Sequence, residues 1–288
     1  MPKFYDKVNV LKKPEWLKVR LRSDEGSAEV ERIVKQHSLH TICSSGLCPN
    51  KAECWSRRTA TFMILGDICT RGCKFCATKT GKPLAPEASE PRQVAESVRL
   101  MGLRHVVVTS VTRDDLPDGG ARHWAAMIRR LHEECPGVTM EVLIPDMQGR
   151  TDLLDVILDE HPDVISHNLE TVRRLTPDVR RVATYDRSLQ VLEYLARKGA
   201  NTKSGIMLGL GETEEEVLQA MDDLRAVGCR IMTIGQYLQP SKLHYPVQDY
   251  IHPDKFEEYR LKGIEKGFAH IESAPMVRSS YHAEKHVR

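Results

Sequence analysis

The 288-residue sequence predicts an α/β fold, a partial (β/α)6 TIM-like barrel with an extension at each end. Three observations carry this. From about residue 60 onward, short β-rich runs alternate with amphipathic stretches of helical length, which argues for parallel strands joined by helical crossovers. Six such units can be counted, against eight in a complete barrel. No Gly-rich phosphate loop follows the first strand, as a doubly wound nucleotide-binding sheet would require. A cysteine-rich loop stands there instead, at the strand end where barrels place their chemistry.

The first sixty residues are mixed in character and read as a leader of short helices, with "SAEVERIVKQHSLHTIC" placing Val30, Ile33 and Val34 on one face. The predicted strands are "TFMILGDIC" (61–69), "RHVVVTSVT" (104–112), "TMEVLIPD" (139–146), "DVISHNLE" (163–170), "TKSGIMLGL" (202–210) and "RIMTIGQYL" (230–238). Helices are expected near 91–101, 121–134, 150–161, 186–199, 213–227 and 253–266. The fifth is the best marked. Thr213 and Glu216 have capping-box spacing, Val217, Met221 and Leu224 share a face, and Gly228 ends the run.

Composition narrows the class. Lys and Arg total 42 against 40 Asp and Glu, a net charge of +2 that makes no general case for nucleic-acid binding. No apolar run approaches the roughly 20 residues of a membrane span. The opening "MPKFYDKVNVLKKPEWLKVRL" has no uninterrupted apolar core of a secretory signal. The expectation is a soluble cytoplasmic protein, where clustered cysteines more often bind metal than form disulfides.

Six of the eight cysteines fall in two triplets. Cys43, Cys48 and Cys54 have the spacing C-x4-C-x5-C. Cys69, Cys73 and Cys76, in "DICTRGCKFCATKTGKP", have C-x3-C-x2-C. Buried apolar thiols are one reading, but both segments are loop-like and rich in Gly, Lys and Arg. Zinc sites are a second. They usually group cysteines in C-x2-C pairs with four ligands each, and only Cys73–Cys76 has that form. A [4Fe–4S] cube needs one ligand per iron. Three close thiolates leave one iron open for a substrate or cofactor, so the fourth ligand need not be a protein residue.

C-x3-C-x2-C after the first strand of a β/α chain, with Phe75 before the last cysteine, resembles the radical S-adenosyl-L-methionine (SAM) superfamily. The upstream C-x4-C-x5-C is similar to the lipoyl synthase family within it. So are "TSVTRDDLPDGGA" (109–121), "HNLETV" (167–172), "KSGIMLGLGET" (203–213) and "VRSSYHA" (277–283). The resemblance runs from about residue 35 to residue 283.

It implies two [4Fe–4S] clusters and SAM as cofactors. Cys69, Cys73 and Cys76 would hold the cluster whose open iron binds SAM and drives its reductive cleavage to a 5′-deoxyadenosyl radical. Cys43, Cys48 and Cys54 would hold an auxiliary cluster, with Ser280 of the RSSY motif as its fourth ligand. The implied reaction inserts two sulfur atoms at C6 and C8 of an octanoyl chain attached to a lysine of a lipoyl carrier domain, the auxiliary cluster being sacrificed. The implied partners are octanoylated 2-oxoacid dehydrogenase E2 subunits and glycine cleavage H protein, an electron donor such as ferredoxin or flavodoxin, and an iron–sulfur carrier for cluster repair. Residues 1–58 would form the auxiliary-cluster extension, 59–267 the barrel and 268–288 a segment closing the barrel mouth.

The remaining candidates each have an ordinary alternative. Similarity to the superfamily gives Asn168 and Glu170 hydrogen bonds to SAM, where a helix cap is the alternative. Phe75 would contact adenine or simply anchor its loop. Thr109 and Ser110 end a strand and would bond SAM or cap a helix. Lys203 would face the cofactor or solvent. "GLGE" (209–212) reads as a tight turn, and "GQYLQPSKLHYPV" (235–247) as acyl-channel lining. Arg173–Arg174 and Arg180–Arg181 would dock an acidic carrier or form a solvated face. Cys135 and Cys229 read as buried thiols. The rival readings are a biotin synthase-like or methylthiotransferase-like enzyme of the same superfamily, and a non-enzymatic iron–sulfur protein.

Overall fold

The apolar runs become strands whose side chains alternate between helices and barrel interior. The computed structural model describes residues 11–18, 25–37, 39–56 and 60–287. Strand β1 (His40–Thr41) runs antiparallel to β2 (Thr61–Ile64). A two-stranded ladder of β3 (Ile68–Cys69) and β4 (Lys79–Thr80) stands apart. The main sheet continues through β5 (His105–Ser110), β6 (Thr139–Leu143), β7 (Val164–Ser166), β8 (Thr202–Leu208), β9 (Ile231–Gln236) and β10 (His270–Ser273), all parallel to β2. Its order is β1-β2-β5-β6-β7-β8-β9-β10, and among the described residues the two edges do not pair, so the barrel is open.

In the leader lie α1 (Glu25–Gln36), α2 (Ile42–Ser45) and α3 (Lys51–Ser56). The crossovers carry α4 (Glu90–Met101), α5 (Ala121–Glu134), α6 (Thr151–Leu158), α7 (Thr176–Val179), α8 (Tyr185–Arg197), α9 (Glu214–Ala226) and α10 (Pro253–Glu265). All six predicted strands and six crossover helices are present. At α9 both halves of the Thr213–Glu216 capping box form. Outward-facing Phe62, Ile64, Val106, Val108 and Val142 join Val98, Trp124 and Ile128 in one apolar cluster. Each fully buried side chain of this kind contributes about 1.5–3 kcal/mol.

Two features differ from the sequence reading. Strand β10, "HIES", is a seventh parallel strand beyond the expected barrel limit of 267. Its register on β9 is set by backbone pairing, and it has no apolar run to announce it. The boundary expected at 58 lies outside the described residues. The C-terminal segment closes the other end of the barrel, not its mouth. A one-turn helix, Ala283–Val287, packs against β5 and β6. The His286 carbonyl accepts from Asn201 Nδ2 at 3.5 Å, just before β8 begins. No helix among the described residues is long and apolar enough to cross a membrane.

Lys203 faces neither a cofactor site nor solvent. It points into the barrel floor, fully buried, with Nζ 2.7 and 2.9 Å from the buried Glu141 carboxylate, which also accepts from Ser166 Oγ at 2.7 Å. A pair so placed forms because each charge would be uncompensated without the other.

Candidate functional site

Inward-facing positions of the strands surround a cavity of about 340 Å³. Its wall includes Met63, Thr109, Leu143, Gly205, Met207 and Thr233. At one end, beyond the C-terminal end of β2, stand Cys69, Cys73 and Cys76. At the other stand Cys43, Cys48 and Ser280. Strand β2 separates the two groups, because β1 runs antiparallel to it and delivers Cys43 beside its first residue. Three steps from Thr61 to Ile64 span about 10 Å.

The loop after β3 is built to present sulfur. Cys69 Sγ accepts from the backbone N–H groups of Arg71 at 3.4 Å and Thr112 at 3.3 Å. Burial pushes the Cys73 thiol up to about 11, with Arg180 opposing and Cys76 adding. Burial also raises Cys76, against hydrogen bonds from Thr78. Isolated thiolates at Cys73 and Cys76 are thus disfavoured, and a cationic group beside them would favour the charged form.

The second triplet is held by a short helix and the tail. Thr41 caps α2, its Oγ1 accepting from Ser44 N at 3.3 Å. Burial and neighbouring Cys43 raise the Cys48 thiol. Cys54, on α3, is half-buried against the apolar cluster and does not line the cavity. The tail is tied here across the length of the chain. Asn50 Nδ2 donates to the Met276 carbonyl at 2.7 Å, Thr61 Oγ1 to Ser280 Oγ at 2.8 Å, and Tyr281 Oη to Glu53 at 3.2 Å. Both Ser279 and Ser280 line the cavity.

Between the two ends lie groups suited to a polar ligand. The Asn168 Oδ1 and Ser110 Oγ atoms are buried without a protein partner. Thr109 differs, its Oγ1 donating to the Leu143 carbonyl at 3.1 Å. Glu170 does not cap a helix, since α7 begins only at Thr176. Its backbone is clamped to β8, with N–H to Gly205 O and carbonyl to Met207 N both at 2.9 Å. This holds it at φ +70°, a conformation costly for a side-chain-bearing residue and frequent at functional sites. Burial raises its carboxyl, against Arg180 and the Asn168 hydrogen bond. Phe75 lines the cavity and also packs on the second apolar cluster.

Sequence reasoning missed three cavity residues. Arg180, expected on the surface, is buried, bonding Leu169 O at 3.2 Å and Ser188 Oγ at 2.9 Å. Arg278 sits beside Cys48, with Nη1 2.6 Å from Val277 O. Arg71 braces the cysteine loop to the next two strands, 2.6 and 2.8 Å from Asp114 and 2.8 Å from Asp146. Burial would raise Asp146, but Arg71 holds it at about 2. No spacing signal marks these arginines in the sequence.

Other candidates lie outside the cavity. Arg173 pairs with Asp186 and Arg174 with Glu216, a solvated face. In "GLGE", Glu212 accepts from Gly209 N and Leu210 N at 2.6 and 2.9 Å. A Cβ on Gly209 would stand 2.4 Å from Asp249 O, so the close approach is to a neighbouring loop. Of 235–247 only Gly235 reaches the cavity wall. Cys135 and Cys229 are buried thiols.

These residues fit the groups that three-cysteine sets hold. Backbone N–H groups aim at Cys69 sulfur, as they do around iron–sulfur clusters. Asn168 Oδ1 and Ser110 Oγ await a partner. At Gly205 the wall is packed close, since a Cβ there would stand 2.4 Å from Thr233 Oγ1 and 3.2 Å from Asn168 Oδ1. A polar cofactor fits against that wall.

Comparison with known proteins agrees. The Radical SAM superfamily model matches residues 63–224. Lipoyl synthase of Bacteroides thetaiotaomicron is 60% identical over 96% of this chain and 99% of its own. Lipoyl synthase of Porphyromonas gingivalis is 63% identical over 96% and 99%, and that of Treponema denticola 58% over 96% and 95%. Among solved structures, methylornithine synthase superposes with a TM-score of 0.54 at 11% identity, covering 86% of this chain and 82% of its own. HydG, a maturase of the [FeFe]-hydrogenase, gives 0.56 at 14%, covering 90% and 70%. These two likenesses concern the fold alone.

Proposed function

The chain belongs to the lipoyl synthase family of the radical SAM superfamily, and from that premise we propose how its residues divide the work. It is a radical SAM sulfurtransferase that inserts two sulfur atoms, at C6 and C8, into an octanoyl chain. When bound, one [4Fe–4S] cluster with SAM supplies the deoxyadenosyl radical, and the sacrificial auxiliary cluster supplies the sulfur. Cys69, Cys73 and Cys76 hold the first, on a loop that Arg71 fixes to Asp114 and Asp146. Asn168, Glu170 and Ser110 orient SAM by hydrogen bonds, Phe75 packs on its adenine, and Thr109 shapes the wall. Cys43, Cys48 and Cys54 hold the auxiliary cluster with Ser280.

The observation that carries this division is the placement of two cysteine groups at opposite ends of β2 with one cavity between them. Met63, Leu143, Ile206 and Met207 give that cavity an apolar wall for an acyl chain, and exclude water from a radical formed there. Ser280 is a harder, more readily protonated ligand than a thiolate, which suits a bond that must be lost. The leader forms the auxiliary extension, and the C-terminal segment begins after β10. The octanoyl group arrives on a lysine of a lipoyl carrier domain in the cytoplasm, and an iron–sulfur carrier rebuilds the auxiliary cluster.

Two sets of substitutions test the division. Cys69, Cys73 and Cys76 to alanine leaves one cluster's worth of iron and no SAM cleavage. Cys43, Cys48 and Cys54 to alanine also leaves one cluster, with deoxyadenosine still formed and no lipoyl product. Loss of SAM cleavage in the second set, with four irons retained per chain on the order of one cube, refutes it.

A further inference from the structure

We propose that the outer face of the cysteine loop, with the segments packed on it, is the docking surface for an acidic one-electron donor protein. This rests on the reading that Cys69, Cys73 and Cys76 hold a cluster, and adds which surface feeds it.

Three segments are knit together on this face. Lys74 N donates to Val179 O at 2.9 Å, and Tyr245 N to Lys74 O at 2.8 Å. His244 Nε2 donates to the Cys76 carbonyl at 3.1 Å. Arg181 Nη1 lies 3.5 Å from where a Cβ on Gly72 would stand. Within 70–84, 180–184 and 239–247 there are cations at Arg71, Lys74, Lys79, Lys82, Arg180, Arg181 and Lys242, and no Asp or Glu. The chain as a whole is nearly balanced, so this is local segregation. Arg71 and Arg180 turn inward, and Lys79 pairs with Asp67. Lys74, Lys82, Arg181 and Lys242 have no carboxylate partner among the described residues.

The same segments also carry exposed apolar side chains. Leu84 is 84% exposed, Leu243 82% and Val182 48%. One exposed leucine means little. Two leucines and a valine on segments that carry unpaired cations have the make-up of a weak, electrostatically steered interface.

The occupant follows from what this face touches. Its segments contact the backbone of the cysteine loop at Lys74 and Cys76, which gives a short route to the metal. Leu243 and Lys242 do not line the cavity, so a carrier seated on them gains no entry for an acyl-lysine arm. An electron needs only proximity. In the step, the donor's reduced flavin or iron–sulfur centre loses one electron and the cluster on the loop gains it, with no bond made or broken.

The test uses reduced flavodoxin as the acidic donor and dithionite as a small reductant that needs no docking. In the reconstituted enzyme, carbodiimide should cross-link flavodoxin carboxylates to Lys82 and Lys242, and added salt should suppress this. The variant Lys82→Glu/Lys242→Glu/Leu243→Asp should lose the cross-links. Its flavodoxin-driven SAM cleavage should fall about tenfold or more, with dithionite-driven cleavage and carrier-domain KM unchanged. Lys262→Glu, on α10, should change none of these. An unchanged flavodoxin-driven rate, cross-links elsewhere on the chain, or a carrier KM that rises under dithionite overturns the proposal. If the triple variant lost its cluster, the cross-link sites on the parent chain would still decide. Failure of the cluster reading is distinguishable, since the parent would then cleave SAM with neither reductant.

Discussion

Replacing Gly235 with alanine should disable the auxiliary site without touching any of its ligands. Gly235 lies in β9, facing the cavity, and the tail crosses directly over it on the way to Ser280. A Cβ there would stand 2.1 Å from the Val277 carbonyl oxygen and 3.0 Å from its carbon. Contacts under 3.0 Å are essentially unknown for real Cβ atoms, so the tail must retreat by at least 0.9 Å, the difference of the two distances. Both atoms in conflict are backbone, so no side-chain rotation relieves them. Val277 O also accepts from Arg278 Nη1 at 2.6 Å, and Pro275 O from Gln236 N at 3.2 Å, so the retreat strains the bonds that anchor this crossing. Overpacking of this kind costs about 1–3 kcal/mol, well short of unfolding most domains. A functional constellation, however, tolerates only about 0.5 Å of misplacement, and Ser280 is three residues on. The expected variant is folded by circular dichroism and cleaves SAM at the parent rate. It retains less auxiliary-site iron and forms less lipoyl product, as Ser280→Ala does. Parent levels of both iron and product would show that the tail's position does not set the auxiliary site, and would refute the reasoning.

Lys203→Met leaves the Glu141 carboxylate fully buried with only Ser166 Oγ as partner, and should cost about 3–5 kcal/mol in urea melts. Lys203→Met/Glu141→Leu should recover much of that, and a single variant within 1 kcal/mol of the parent, on the order of a surface change, would contradict a structural ion pair. Acid should destabilise the protein in two windows. Burial, then Arg180, lowers His167 to about 4. Between pH 6.5 and 4 the unfolded chain therefore binds more protons there, and stability falls with pH by up to about 3 kcal/mol. Asp146, held at about 2 by Arg71, contributes stability that disappears only as pH falls from 3.8 toward 2. His167→Gln should flatten the stability profile between pH 7 and 5, read as a smaller change in urea midpoint. An unaltered slope would mean that His167 is not the titrating group.

The barrel was legible because buried parallel strands must be apolar on both faces, and "HVVVTS" or "KSGIML" advertises that without help from neighbours. "HIES" has no such pattern, since β10 is an edge strand held by ladder bonds to β9. The cysteine triplets stood out because close thiols in loops are uncommon in packing, and five of the six line one cavity. Arg180 and Lys203 did not. A charged side chain is read as solvated unless its partner is known, and Glu170 and Glu141 lie ten and sixty-two positions away along the chain. The same limit hid the tail's course, since nothing in "VRSSYHA" says whether it reaches the barrel's mouth or its floor.

The long ties of the tail also set an order of assembly. Thr61 and Ser280 are 219 positions apart, and Asn50 and Met276 are 226 apart. A chain made from its N-terminus and folding as it emerges has all the strands through β9 by residue 236, and His244 and Tyr245, which tie the three-cysteine loop, follow at once. The other cysteine group waits until some forty residues later, on the scale of a few seconds of synthesis. Until then Cys43 and Cys48 face a half-made socket without Ser280. Nascent chains loaded with iron too early would fill the first site and misload the second. On the division proposed above, a chain cut short just before the tail would keep the residues assigned to SAM cleavage and lack Ser280.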